Sequence, residues 1–167
     1  IKQIARSLPI HFKLYVKEHP AMVGYRTRAY YKELKKIPNV KLINPIFPSF
    51  ALTKHAKLIT TITGTVGWEG LLLKKPVITF GDVFYNKLSA VKQCRTIEEL
   101  PMLVKNQLEN FKYNEEEILH YISAMLADGI DIPLITLWEK EIDQIEKISK
   151  HSEKVADLIA LKLGHAK

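Results

Sequence analysis

Two short runs carry the side chains whose types and spacing could do chemistry. In the first, Lys17 and His19 flank Glu18 just ahead of Pro20; in the second, Thr63, Gly64 and Thr65 stand before Val66, Gly67, Trp68 and Glu69. Lysine supplies a point charge, imidazole a hydrogen bond, and two hydroxyls beside the first free amides of a helix add further donors, a set suited to a phosphate. A plainer reading stands beside this one: His19 as an exposed turn residue, Thr65 as an N-cap, Gly64 as part of a strand-to-helix turn, and Glu69 as an acid favouring the positive end of its helix. Neither the P-loop pattern nor G-x-G-x-x-G is present.

The elements that must position these residues alternate. Residues 12–17 and 40–43 read as short apolar strands, 57–62 and 77–80 as β-branched interior strands, and 90–94 as a fifth. Helices are expected over 24–36, over 49–54 with Ser49 as cap, through the stretch after Thr65, and over 97–110, where Thr96 and Glu99 match a capping box. Residues 114–127 and 134–163 read as further helices. Strand and helix in alternation predict an α/β, Rossmann-like parallel sheet flanked by helices, with a helical C-terminal tail. On this reading residues 1–167 form a single domain, with 114–167 as its helical extension.

In open parallel sheets ligands sit at the carboxyl ends of the strands. Lys17 and His19 fall there after the first strand, and Asn44, Pro45 and Ile46 after the second. Residues 63–65, with Gly64 and Gly67 allowing a tight turn and close backbone approach to a ligand, follow the third. Asp82 and Tyr85 follow the fourth, as sugar contacts or as a turn residue and a core ring.

Composition narrows the class. With 167 residues and 47% hydrophobic content the chain suits one globular domain with a sizeable core. No apolar run approaches the roughly 20 residues that a membrane-spanning helix needs, so a soluble domain is expected. The lone Cys94 excludes an internal disulfide and reads as a small buried residue in a reducing compartment, and no Cys/His cluster has zinc spacing, so no metal is expected. A net charge of +7 suggests an anionic partner. Without an aromatic-interleaved basic ribbon, nucleic acid is not expected. Ile1 is not an initiator methionine and residues 1–8 look like the end of a helix entering a strand, so the chain is expected to be half of something larger.

Lys17-x-His19-Pro20, then Thr63-Gly64-Thr65 with Glu69, then Lys75-Pro76-Val77-Ile78-Thr79-Phe80-Gly81 with Tyr85 beyond, together resemble the capsule polysaccharide synthesis family, relatives of the β-Kdo glycosyltransferases, over about residues 10–90. The resemblance implies the C-terminal, nucleotide-binding half of a GT-B glycosyltransferase using a CMP-activated sugar such as CMP-Kdo. A more distant likeness to bacterial sialyltransferases implies that His19 binds the donor phosphate, that Thr63 and Thr65 take the place of a hydroxyl pair, and that Lys17 lies beside the nucleotide. In this family a general base or nucleophilic carboxylate belongs to the other half, so no catalytic residue is assigned here. The implied partners are a nucleotide-sugar donor, a glycan or glycolipid acceptor and an N-terminal GT-B half of the same protein. The implied location is cytoplasmic, with peripheral contact to anionic lipid at the inner face of the bacterial inner membrane.

Two alternatives stay open. A UDP-sugar transferase or UDP-GlcNAc 2-epimerase-like enzyme shares the glycine turn, the helix glutamate and the Pro-Val strand, although such epimerases present Ser-Gly-Gly where this chain has Thr-Gly-Thr. A non-catalytic nucleotide- or glycan-binding scaffold is the other.

Overall fold

The computed structural model describes residues 1–128; the helix expected over 134–163 lies outside them. Packing divides the chain into two compact units, Ile1–Ile118 and Leu119–Lys167. Every strand among the described residues belongs to the first.

The element order is α1 (Lys2–Ser7), β1 (Leu14–Lys17), a 3-10 turn (Pro20–Met22), α2 (Arg28–Lys35), β2 (Val40–Ile43), α3 (Ser49–His55), β3 (Ile59–Thr61), α4 (Val66–Leu72), β4 (Val77–Thr79), a second 3-10 turn (Phe84–Lys87), β5 (Val91–Gln93), α5 (Leu100–Glu109) and α6 (Glu115–Asp128). This is the Rossmann-like α/β architecture expected, with parallel pairing throughout. The strands fall into two hydrogen-bonded sets: β1 pairs with β2, and β4 lies between β3 and β5. Lys17 stands opposite Ile43 in the first set, and Thr61 opposite Thr79 in the second.

β4 is the most deeply buried strand. Val77, Ile78 and Thr79 are all 0% exposed, as β-branched residues should be in a parallel sheet covered on both faces. On one face Ile78 packs with Cys94, Leu100 and Val104, and Ile4, Leu8 and Leu103 close over the cluster. Fully burying a residue such as Leu100 is worth about 1.5–3 kcal/mol. A polar group in this core is satisfied rather than stranded. Gln107, buried on α5, donates through Nε2 to the carbonyls of Val77 at 2.9 Å and Ala90 at 3.0 Å. One side chain thus holds the starts of β4 and β5 to α5.

On α4, Gly70 allows the helix to lie directly on the strands, since a Cβ there would strike Ile59 Cδ1. All strands but β2 are shorter than expected at one or both ends, and three helix starts differ from the sequence expectation for a local reason. α2 begins at Arg28 rather than at 24, because Gly24 adopts φ +91° and Thr27 caps the helix by accepting from the Tyr30 amide. α3 opens with Ser49 inside its first turn, capped in position by Pro48 and without a side-chain cap bond. Only half of the capping box forms: Glu99 reaches back to the amides of Thr96 and Arg95, while no side chain caps α5, which starts at Leu100.

Candidate functional site

The expected site residues fall into two groups, one at the carboxyl end of each sheet. Lys17 ends β1, and His19 opens the Pro20–Met22 turn. Proline at the first position of that turn has no amide to donate, and the His19 carbonyl accepts from the Met22 amide at 2.8 Å. His19 Nδ1 accepts from the Ala21 amide at 3.2 Å. In the neutral ring that bond places the proton on Nε2 and presents it outward as a donor. Next to His19 along the chain, Glu18 is already engaged: its carboxylate accepts from the Tyr31 hydroxyl at 2.5 Å and lies 3.9 Å from Arg26 Nε. The hydrogen bond to Glu18, followed by desolvation, raises the Tyr31 pKa above the ordinary phenol value. Because β2 pairs with β1, the residues after Ile43 adjoin this group. Asn44 accepts from the Ile46 amide at 3.0 Å, forming an Asx turn that leaves Ile46 exposed and Pro45 half-buried.

The second group lies at the ends of β3 and β4. The turn from Ile62 to Thr65 is held from two sides. Thr61 Oγ1 accepts from the Gly64 amide at 3.0 Å, and the Tyr85 hydroxyl donates to the Gly64 carbonyl at 2.6 Å. Gly64 is required here because a Cβ would stand 2.8 Å from Thr61 Oγ1. With the backbone fixed from beneath, Thr63 and Thr65 are exposed. Thr65 precedes α4 without capping it, so its hydroxyl is not spent on the helix. Glu69 lies in the first turn of α4. Among the described residues, the side chains of Lys17, Thr63, Thr65 and Glu69 have no hydrogen-bond or ion-pair partner.

Two residues occupy places other than a ligand-facing one. Gly67 is buried inside α4, and the space where its Cβ would be is filled by the Tyr85 ring, so its close approach is to protein rather than to a ligand. Of the two roles open to Tyr85, the structure shows the core ring: it is 1% exposed, and burial raises its pKa. Its ring meets Phe84 edge-on at 5.0 Å and lies 6.3 Å from Trp68. Asp82 is exposed and accepts from Gln93 Nε2 at 2.8 Å.

Sequence reasoning missed the residues that hold the turn. Thr61 lies three residues before Gly64, a spacing at which a threonine hydroxyl reaches a turn amide. Asn86 had no local signal: it accepts from Thr79 Oγ1 at 2.7 Å and donates to the Gly81 carbonyl at 3.0 Å, fixing the loop after β4. No group of three or more His, Cys, Asp or Glu is placed to hold a metal among the described residues. None of their helices is long and apolar enough to cross a membrane.

A parallel α/β scaffold with cationic and hydroxyl side chains at its strand ends defines the class, an α/β domain of Rossmann-like build. The capsule polysaccharide biosynthesis protein family matches residues 1–100, and the chain belongs to that family. It is also similar to Protein FixF of Sinorhizobium fredii (strain NBRC 101917 / NGR234), with 41% identity over 75 residues, which is 42% of this chain and 16% of that protein. The matched stretch is therefore a small part of that relative. No solved structure matches the chain. Family membership supports a role in surface polysaccharide biosynthesis.

Proposed function

We propose that this chain is the donor-binding domain of a bacterial glycosyltransferase that builds capsule or another surface polysaccharide, and that its donor is a CMP-activated sugar such as CMP-Kdo. The observation that carries the reading is the braced turn at Gly64, which offers two unengaged hydroxyls, Thr63 and Thr65, at the end of a parallel strand. Donors fixed before the substrate arrives lose little on reorganisation, which favours stabilising a departing phosphate. His19 Nε2 and Lys17 would contribute a hydrogen bond and a charge to the same anion. The Asn44 to Ile46 loop and Asp82 would touch the base, ribose or sugar. Glu69 would lie beside the hydroxyl pair.

The remainder of the reading concerns the parent protein. The fold would be one half of a GT-B enzyme, with an N-terminal half supplying the acceptor site and the catalytic carboxylate. A glycan or glycolipid would be the acceptor, no cofactor or metal would be needed, and the basic chain would work in the cytoplasm against the anionic inner face of the membrane. This chain by itself would bind donor with little or no turnover.

Calorimetric titration with CMP and with UDP, on the unaltered protein and on His19→Ala, tests this. CMP should bind more tightly than UDP, and the substitution should weaken CMP by roughly tenfold, about 1.4 kcal/mol. Preference for UDP would replace the CMP-sugar reading with a UDP-sugar one. Binding of neither would remove the donor-site reading.

A further inference from the structure

The basic charge of this chain is gathered in the residues that build β1, β2 and the helices around them. Residues 1–57 hold twelve Lys and Arg against two acids, Glu18 and Glu33, whereas residues 58–167 hold thirteen against sixteen. Both acids of the basic part are already engaged, Glu18 with Tyr31 and Arg26, and Glu33 with Lys36 at 2.6 Å. Arg28, Lys32 and Lys54 are exposed. A surface so dominated by one sign draws an anionic partner toward it.

The same part exposes apolar side chains where its loops leave the strands. Lys17 stands opposite Ile43, so the loops after β1 and β2 start side by side. The first presents Met22, Val23 and Tyr25, the second Ile46 and Phe47, with Phe50 following in α3; Tyr25 is 77% exposed and Ile46 86%. Single exposed apolar residues are ordinary, but six on adjoining segments mark a contact surface. The backbone of both loops is prepared for a dry setting. In the first, Pro20 has no amide, Ala21 donates to His19 Nδ1, Met22 to the His19 carbonyl, Val23 to the Pro20 carbonyl and Tyr25 to the Met22 carbonyl. In the second, Pro45 and Pro48 have no amide, Ile46 donates to Asn44 Oδ1 and Phe47 to the Asn44 carbonyl. A loop that stays in water can leave such amides to the solvent; one that enters a lipid interface must satisfy them internally.

We propose that the loops after β1 and β2 dock on an anionic phospholipid surface, their apolar tips entering the interface while Arg28, Lys32 and Lys54 meet the headgroup phosphates. Val23 and Ile46 offer nothing to a hydrated polyanion. Aliphatic and aromatic tips beside cations match instead the two layers of a bilayer surface, charged headgroups over acyl chains, with tyrosine at the boundary. With this edge on the membrane, the strand ends that carry Lys17 and His19 lie at the lipid surface. The proposal gives a surface to the membrane contact in the function proposed above, and it rests on that contact and not on the identity of the donor.

Flotation of the full chain with vesicles of phosphatidylglycerol and phosphatidylcholine, against phosphatidylcholine alone, tests it. Binding to the anionic vesicles should be roughly tenfold stronger or more, and should fall as salt is raised. Val23→Ser, Tyr25→Ser and Ile46→Ser together should weaken it roughly tenfold, as should Arg28→Glu with Lys32→Glu. Lys105→Glu with Lys112→Glu, the same change of charge elsewhere, should leave it within about twofold. No flotation with anionic vesicles, equal flotation with neutral ones, or an equal loss from the control pair overturns the proposal. Unchanged binding by the three serine substitutions overturns it as well. Should those substitutions unfold the chain in thermal denaturation, the fluorescence of Tyr25→Trp decides: emission should shift to the blue on anionic vesicles, and an unshifted spectrum overturns the proposal. A dimer that the serine substitutions dissociate would assign the patch to a second copy of the chain and overturn it too. Nucleotide titration is read separately, so failure of the donor reading and failure of this one are distinguishable.

Discussion

The Tyr85 hydroxyl donates to the Gly64 carbonyl at 2.6 Å across 21 residues of chain. A residue from the loop after β4 thereby sets the shape of the turn after β3. Tyr85→Phe keeps the ring and removes only that bond. It should cost about 1–2 kcal/mol, the usual penalty for leaving a half-buried acceptor unpaired. Thermal denaturation measures the loss, and nucleotide titration should show weaker binding with the ring packing intact.

Gly67 faces the same tyrosine from the helix side. A Cβ there would lie 2.9 Å from Tyr85 Cζ, inside van der Waals contact. Gly67→Ala should therefore destabilise the domain by about 1–3 kcal/mol through overpacking, despite alanine's better helix propensity. A denaturant midpoint equal to or above that of the unaltered protein would contradict the packing described.

Gln107 is the polar bond between α5 and the sheet. Gln107→Leu conserves much of the volume but removes the two side-chain bonds to the carbonyls of Val77 and Ala90. The expected loss is about 1–3 kcal/mol. In hydrogen exchange, β4 and β5 should open more readily while β1 and β2 are unaffected.

Two groups give the stability a pH dependence with opposite signs. The amides of Thr96 and then Arg95 hold the Glu99 carboxyl below its ordinary range. A depressed carboxylate contributes stability that is present above the unfolded value, about 4.3, and is lost as pH falls through the folded value. Glu99→Gln should flatten part of the acid limb of the stability profile. Tyr31, raised chiefly by its bond to Glu18, contributes below the unfolded phenol value of about 10 and loses that contribution as pH rises through the folded value. Tyr31→Phe should flatten part of the alkaline limb. Denaturation midpoints measured across pH check both.

The fold was legible wherever a residue's own type decides its neighbourhood. Val77, Ile78 and Thr79 announce an interior strand, and Pro20 marks the turn that follows β1. The positions of Thr63 and Thr65 at a strand end follow from the same alternation. What the sequence could not display were bonds closed only by tertiary folding. Tyr85 reads equally well as a ligand contact or a core ring until Gly67 and Gly64 are brought against it. Asn86 shows nothing until Thr79 and Gly81 lie beside it. The division of the strands into two sets was likewise hidden, because pairing depends on partners distant in sequence.

The placement of Cys94 has one more use. It is the chain's single cysteine, 5% exposed beneath α5, with its thiol pKa raised by burial and then by the nearby charges of Glu99 and Glu98. A thiol reagent can reach it only when α5 lifts from β4 and β5, and the thiolate fraction before that moment is small. The rate of labelling at this one sulfur is therefore a built-in clock for local opening of the three-stranded sheet, readable by mass without any engineered probe.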